Sequence, residues 1–207
     1  MGAGGLAKEL AQLARRIDPE ARRWSAIEYV AESADSLGSD LPFGKVRWID
    51  ADVVERTSPC DVVVGIGYPS VRRAMAAMLA TNEYLSFPNL IHPSVEIDEQ
   101  LVQLGRGNII ASGAVVTCDI VIGDFNLINW NVTVGHDTRI GSFNVLNPGT
   151  NLSGCTSLGD ACLLGTGCQV LERLTIASDV TIGAGAVVIR PIDAPGVYVG
   201  IPAAAVR

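Results

Sequence analysis

The sequence predicts a parallel β-helix preceded by a small α/β unit, and three observations lead to this fold class. Aliphatic residues recur at every sixth position through the second half of the chain. Aromatic residues make up only 5% of the 207 residues, whereas glycine counts 22, so the core must consist of thin aliphatic layers. Residues 1–87 lack the repeat and alternate strand-like with helix-like segments, which is typical of a parallel α/β sheet.

The six-residue repeat runs without a slip from Leu104 to Val188, where every sixth residue is Leu, Ile or Val. Glycine often follows the aliphatic residue, and a small residue or Asn mostly stands four positions after it. Such hexads each form one short strand and a turn, and three hexads close a triangular coil of 18 residues. We expect the aliphatic side chains to point inward and the glycines to occupy turns that need a positive φ.

Stacked coils place residues 18 apart above one another, at about 4.8 Å. Asn108, Asn126 and Asn144 have this spacing and are expected to form an inward ladder of amides. Other apolar positions lie outside the inward columns and are expected to pack against a neighbouring subunit: Val121, Leu127, Val145 and Leu163.

The chain opens with a glycine-rich segment, Gly2–Ala7, that fits G-x-G-x-x-A. Leu6, Leu10, Leu13 and Ile17 follow it at helical spacing. A glycine-rich turn leading into a helix offers backbone N–H groups to a phosphate. The pattern indicates phosphate binding only where it follows a strand, and here only Met1 precedes it. The sheet is therefore expected to lack its first strand, or the motif has no function.

Further α/β elements follow the first helix. The sequence predicts a strand over Trp24–Val30, a buried parallel strand over Asp61–Gly67 and a helix over Pro69–Leu79, which proline favours at its first turn. Ligands of such sheets bind at the carboxyl ends of the strands. Residues at those ends are predicted to bind substrate around one crevice: Gly4, Gly5, Glu32, Gly67 and Arg72.

Composition excludes several classes of function. The net charge of −7 disfavours binding to nucleic acid or anionic lipid. No apolar run reaches the roughly 18 residues needed for membrane insertion, and the first ten residues do not resemble a signal peptide. Five cysteines without a C-x-x-C pair predict reduced residues in a cytoplasmic protein. Two histidines cannot supply a three-histidine zinc site, so we expect no metal.

The two histidines differ in position. His92 lies at the start of the predicted β-helix and is expected to be structural. His136 comes two residues after an inward position, so its side chain is expected to project outward as a general base, oriented by Asp137. Gly154 lies one coil beyond His136, and its N–H could stabilise an oxyanion, which is commonly worth ~3 kcal/mol. This pairing predicts acyl transfer.

The chain resembles the family of sialic-acid O-acetyltransferases and bacillosamine-pathway N-acetyltransferases. The resemblance rests on Gly2–Glu9, Asn89–Ser94, His136–Gly141 and Gly200–Ala203. It implies a Rossmann-like nucleotide-sugar-binding domain over residues 1–87 and a left-handed β-helix acyltransferase domain over residues 88–207. It also implies a homotrimer.

The resemblance further implies that the protein transfers an acetyl group from acetyl-CoA to a sugar, by preference the amine of a nucleotide-linked amino sugar. His136 would be the base, Asp137 its support, and Gly154 the donor to the thioester oxygen. The cofactor would lie between two subunits, along the C-terminal coils. The glycines implied to contact it are Gly154, Gly165, Gly183 and Gly200.

Two alternatives remain open at the level of sequence. One is a sugar O-acetyltransferase of the sialic-acid type. The other is a catalytically inactive trimeric scaffold, which the departure from the family's usual residue at Val145 and the lack of a strand before Gly2 favour slightly. Leu6 and Ala204 also depart from the family's usual residues, and together these departures leave the acceptor open. A sugar-phosphate nucleotidyltransferase would need far more residues before the β-helix than this chain has.

Overall fold

The N-terminal half is an α/β unit in the structure, a computed structural model that describes residues 2–206. Strand β1 pairs in parallel with β3, which pairs antiparallel with β2, while β4 and β5 form a separate parallel pair. A single 3-10 turn, Ala34–Ser36, follows β1 in this described half. The helices and strands are α1 (Gly5–Ile17), β1 (Ile27–Ala31), β2 (Asp40–Leu41), β3 (Gly44–Ile49), α2 (Asp50–Val54), β4 (Cys60–Asp61), α3 (Pro69–Leu79) and β5 (Leu85–Ser86).

The sequence located these elements well but overextended one strand. Both predicted helices are confirmed, and the strand predicted from Trp24 begins at Ile27. The prediction of a strand over Asp61–Gly67 was wrong in extent, because strand pairing stops after β4 meets the two residues of β5. Within residues 2–206, no strand precedes α1, and no helix is long and apolar enough to cross a membrane.

The C-terminal half is a parallel β-helix with three faces. The eight-stranded face has the order β24-β23-β21-β18-β15-β12-β9-β6, the six-stranded face β22-β19-β16-β13-β10-β7, and the five-stranded face β20-β17-β14-β11-β8. Only β24 runs antiparallel to its described neighbour. The strands are β6 (Leu90–Ile91), β7 (Glu96–Ile97), β8 (Val102–Leu104), β9 (Ile109–Ile110), β10 (Val115–Val116), β11 (Ile120–Ile122), β12 (Leu127–Ile128), β13 (Thr133–Val134), β14 (Arg139–Ile140), β15 (Val145–Leu146), β16 (Asn151–Leu152), β17 (Ser157–Leu158), β18 (Leu163–Leu164), β19 (Gln169–Val170), β20 (Thr175–Ile176), β21 (Val180–Ile182), β22 (Val187–Val188), β23 (Gly196–Val199) and β24 (Ala204–Ala205).

The predicted 18-residue register is confirmed, as is the inward ladder of amides. Val116 lies beside Val134, which lies beside Leu152. Asn108, Asn126 and Asn144 are fully buried. The backbone N–H of Asn126 donates to Asn108 Oδ1 at 2.9 Å, and the N–H of Asn144 donates to Asn126 Oδ1 at 2.9 Å. The amides therefore bind one coil to the next inside the prism, which also buries Thr138, Thr150 and Thr156.

The expected role of the repeat glycines was wrong. From Leu104 to Ile182, positive φ falls three residues after each inward aliphatic residue, at positions such as Gly107 and Asp137, and not at Gly105 or Gly135. Gly135 is needed for space instead, because a Cβ there would lie 2.6 Å from the nitrogen of Gly154 in the next coil. The glycines let neighbouring coils approach each other at the corners of the prism.

Helix α1 packs on the eight-stranded face of the β-helix. Leu10 and Leu13 share a buried cluster with Leu127 and Val145. The prediction that Leu127 and Val145 contact another subunit was therefore wrong, because the chain's own first helix covers them. Val121 and Leu163 are only half-buried, and for these two the expectation stays a prediction.

Candidate active site

His136 follows β13 at a corner of the prism, where its side chain is 60% exposed. Its Nδ1 lies 2.7 Å from Asp137 Oδ2. A carboxylate can only accept a hydrogen bond, so in the neutral ring Nδ1 carries the hydrogen and Nε2 has the free lone pair. Asp137 has a φ of 58°, a left-handed conformation that Asp tolerates better than most residues. The sequence-predicted base is thus held by the predicted carboxylate.

Gly154 lies one coil above His136, as the 18-residue spacing predicted. The backbone N–H of Cys155 donates to the carbonyl oxygen of His136 at 2.7 Å, which joins the two coils at this corner. A Cβ on Gly154 would lie 2.7 Å from His136 Nε2, so the imidazole occupies the space that the missing side chain leaves. Within residues 2–206, the N–H of Gly154 has no hydrogen-bond partner.

A basic nitrogen and an unused N–H donor therefore share one exposed corner. A nucleophile that gives its proton to Nε2 could attack a carbonyl group whose oxygen faces the Gly154 N–H. The arrangement suits transfer of an acyl group to an amine or a hydroxyl.

Cys155 belongs to this corner, although no role for it was predicted from the sequence. One donor atom each from His136, Asp137 and Cys155 lies within 4.8 Å of the other two. These three side chains are those that could hold a metal ion among the described residues. The signal was present in the sequence, because Cys155 stands 18 positions after Asp137 and therefore directly above it.

A cavity of about 470 Å³ lies where β1 ends and α1 begins. Gly4, Glu32 and Gly67 line it, as predicted for a substrate crevice, whereas Gly5 and Arg72 do not. Asp50 also lines it and was missed, because nothing in the sequence showed that α2 begins beside β1. Burial, and then the charge of Glu32, raise the pKa of the Asp50 carboxyl. The crevice thus presents two neighbouring acidic groups.

Arg72 is fully buried beneath this crevice. Its Nε donates to the carbonyl oxygen of Ile66 at 2.9 Å, and its Nη1 donates to that of Phe125 at 3.2 Å. Burial lowers the pKa of the guanidinium to about 10, so it stays charged at neutral pH. In the described structure Arg72 connects the turn before α3 to the β-helix.

The glycines expected to contact a cofactor do not all lie together. Gly165 and Gly183 occupy successive coils at the corner between the eight-stranded and six-stranded faces. Val199 lies above Gly183 in the next coil, and Gly200 follows it in the chain. Gly154 lies at the next corner, across the six-stranded face. One copy of the chain therefore presents the two sets of glycines on different corners.

Comparisons with known proteins find similarity among solved structures. No protein-family profile and no curated protein sequence matches the chain. The acetyltransferase domain of PglB from Neisseria gonorrhoeae, in complex with acetyl coenzyme A, is 30% identical, with a TM-score of 0.90 over 99% of this chain and 96% of that chain.

Two further structures are similar over nearly their whole length. PerB from Caulobacter crescentus, in complex with CoA and GDP-perosamine, is 28% identical, with a TM-score of 0.87 over 100% of this chain and 95% of that chain. WeeI from Acinetobacter baumannii is 25% identical, with a TM-score of 0.87 over 99% of this chain and 97% of that chain. These similarities confirm the predicted fold class, a left-handed parallel β-helix that follows an α/β unit.

Proposed function

Because the chain belongs to the hexapeptide-repeat sugar acetyltransferases of the bacillosamine-pathway type, we propose that it transfers the acetyl group of acetyl-CoA to the amine of a nucleotide-linked amino sugar. The observation that carries this proposal is the pairing of His136 with the unused N–H of Gly154. A base and an oxyanion donor on adjacent coils are what acetyl transfer from a thioester requires.

In the proposed reaction, the amine nitrogen attacks the thioester carbonyl carbon and gives its proton to His136 Nε2. The negative charge that forms on the carbonyl oxygen is stabilised by the Gly154 N–H. The carbon–sulfur bond then breaks, the amide is complete, and the leaving CoA thiolate takes the proton from His136, which regenerates the base. Asp137 keeps the imidazole oriented and stabilises its protonated form through the 2.7 Å hydrogen bond.

The nucleotide-sugar would bind at the crevice of the N-terminal half. The N–H groups at the start of α1, near Gly4 and Gly5, favour a phosphate group. Glu32 and Asp50 offer oxygen acceptors to the hydroxyl groups of a ribose. Gly67 lines the crevice without a side chain that would narrow it. Arg72 does not line the crevice, but its hydrogen bond to Ile66 holds the turn before α3 in place.

We also propose that the active protein is a homotrimer with acetyl-CoA between subunits. The exposure of His136 and the separation of Gly154 from Gly165, Gly183 and Gly200 support this, because a neighbouring copy could bring the two corners together. A boundary near residue 87, between a nucleotide-sugar-binding domain and the acyltransferase domain, belongs to the same proposal. Five free cysteines support a cytoplasmic location.

The substitution His136→Asn tests the proposed base. We expect it to lower kcat for nucleotide-linked amino sugars by roughly 100-fold to 10,000-fold, because an amide cannot take up the proton at neutral pH. Calorimetry should show unchanged acetyl-CoA binding. His92→Asn is the matched control, since it changes the chain's other histidine at a distance from Gly154, and its kcat should stay within a few-fold of the original.

Release of CoA should be measured against paired acceptors that differ only in an amine or a hydroxyl group. Turnover of the amine alone supports the N-acetyltransferase, whereas preference for the hydroxyl acceptor would identify an O-acetyltransferase. Full activity of His136→Asn would remove His136 from the mechanism. A protein that neither binds acetyl-CoA nor turns over any acceptor would be the inactive scaffold.

A further inference from the structure

The corner that carries His136 brings together three side chains of metal-binding type, here named the corner triad: His136, Asp137 and Cys155. One donor atom of each side chain lies within 4.8 Å of the other two. The proposed acetyl transfer uses His136 and Asp137 and gives no role to Cys155. The triad therefore offers a chemistry that this reaction does not use.

The β-helix fixes the positions of the three donors. Asp137 and Cys155 stand 18 residues apart, and both have left-handed backbone conformations, with φ of 58° and 59°. Their side chains therefore leave the corner in similar directions, one coil apart. The N–H of Cys155 donates to the carbonyl oxygen of His136 at 2.7 Å, which ties the two backbones together. Ligand atoms of a tetrahedral zinc site lie about 3.3–3.8 Å from one another, so side-chain rotation alone can close the triad around an ion.

The donor set of the triad favours Zn²⁺. A thiolate and an imidazole suit Zn²⁺, whereas Mg²⁺ and Ca²⁺ prefer oxygen ligands. Three protein ligands with a fourth position open to water are common in zinc sites. The side chains of His136 and Asp137 are both more than half exposed, so an ion can reach them from solvent. The flanking charges on this corner, Asp119 one coil below Asp137 and Arg173 one coil above Cys155, are opposite in sign.

We infer that the corner triad binds one Zn²⁺ ion and that the bound ion inhibits acetyl transfer. The binding is independent of the proposed function, whereas the inhibition rests on it. The ion is an inhibitor and not a cofactor, because the proposed reaction needs no metal. On binding, the Cys155 thiol releases its proton to solvent and coordinates as a thiolate.

Inhibition follows from the chemistry of the imidazole ring. An ion on Nδ1 displaces the hydrogen that Asp137 accepts, and the neutral ring then carries its hydrogen on Nε2. An ion on Nε2 occupies that lone pair directly. In either case His136 has no lone pair left to take the proton of an attacking amine.

Binding is measured first, on the full chain without substrates. Calorimetry should show one Zn²⁺ per chain with a Kd of about 10 μM or tighter. Co²⁺ in place of Zn²⁺ should give the absorption of a cobalt–thiolate bond, which reports on Cys155.

Substitutions then locate the bound ion. Cys155→Ala and His136→Asn should each weaken zinc binding at least about tenfold, since loss of a group that only orients a metal ligand already costs that much. The matched control is Cys118→Ala, because Cys118 lies on the same corner, one coil below His136, and outside the triad. This control should bind Zn²⁺ as the original protein does.

Inhibition is measured next, by chromatography of the acetylated product, because the thiol of released CoA also binds Zn²⁺. The half-inhibitory concentration of Zn²⁺ should lie within a few-fold of the Kd, EDTA should restore the rate, and Mg²⁺ should have no effect. Cys155→Ala, which keeps its base, should remain active and need at least about tenfold more Zn²⁺ for the same inhibition.

The possible outcomes separate the metal site from the proposed function. Absence of zinc binding, or equal binding by the original protein and Cys155→Ala, would overturn the metal site. Undiminished turnover at saturating Zn²⁺ would overturn the inhibition. A chain that binds Zn²⁺ through the triad but turns over no acceptor in its absence supports the metal site and argues against the proposed function.

Discussion

At the scale of single residues, the absence of a side chain at Gly154 shapes the proposed site. The His136 ring lies where a Cβ of residue 154 would be, and the Gly154 N–H is left without a partner in the described structure. Close packing also explains the glycine at position 135, because a Cβ there would lie 2.6 Å from the nitrogen of Gly154. Two glycines on adjacent coils thus create the space in which base and donor meet.

Gly154→Ala should therefore damage catalysis more than stability. The added methyl group would lie 2.7 Å from His136 Nε2, so the ring must rotate out of place. Because the ring is exposed, it can do so without disturbing the core. We expect kcat to fall roughly 100-fold, as for other ångström-scale displacements of a catalytic group, with Tm changed by less than a few degrees.

The matched control for that variant is Cys155→Ala, which shortens a side chain on the same corner and adds no atom toward the ring. It should retain most of the activity. Equal kcat for Gly154→Ala and the original protein would show that neither the ring position nor the Gly154 N–H matters for the reaction.

Residue-scale prediction succeeded where the repeat fixed the geometry. Counting 18 positions from His136 located Gly154, since stacked coils leave no freedom in register. The same counting would have found Cys155. It could not reveal Asp50 or the burial of Arg72, because these depend on how α2 and α3 pack in a part of the chain without a repeat.

At the scale of elements, α1 determines how the N-terminal half meets the β-helix. Leu10 and Leu13 bury Leu127 and Val145, and Arg16 Nη1 lies 3.1 Å from His92 Nε2. Burial of His92, and then the charge of Arg16, lower the pKa of its imidazole. The neutral ring is thus the form that fits this contact.

The contact between α1 and the β-helix should weaken in acid. A histidine whose pKa is lower in the folded state stabilises the protein above its unfolded pKa, near 6.5, and loses this contribution as the pH falls through the folded value. Tm should therefore fall more between pH 7.5 and pH 5 in the original protein than in His92→Asn. Scanning calorimetry of both proteins measures the difference, and parallel pH profiles would contradict it.

Element-scale prediction was accurate for strands inside the repeat and weaker outside it. The strand predicted over Asp61–Gly67 was too long, because the length of β4 depends on the length of its partner β5. Periodicity in the sequence does not encode that length. The assignment of Leu127 and Val145 to a subunit contact failed for a similar reason. An outward apolar residue shows that some surface is covered, but not which surface covers it.

At the scale of the whole molecule, the proposed reaction requires residues on two corners of the prism. Gly154 and His136 lie on one corner, and the glycine column of Gly165 and Gly183 lies on the next. The six-stranded face between them carries polar outward side chains, where Asn151 Nδ2 donates to Gln169 Oε1 at 3.0 Å. A second copy of the chain against this region would enclose a cofactor that one copy leaves exposed.

A crystal structure of the protein with acetyl-CoA tests this account most directly. We predict that the thioester oxygen lies about 2.7–3.1 Å from the nitrogen of Gly154, with His136 Nε2 facing the carbonyl carbon. The rest of the cofactor should pass along Gly165 and Gly183 of an adjacent copy in a trimer. A thioester bound away from Gly154, or a cofactor enclosed by a single copy, would contradict the central claim.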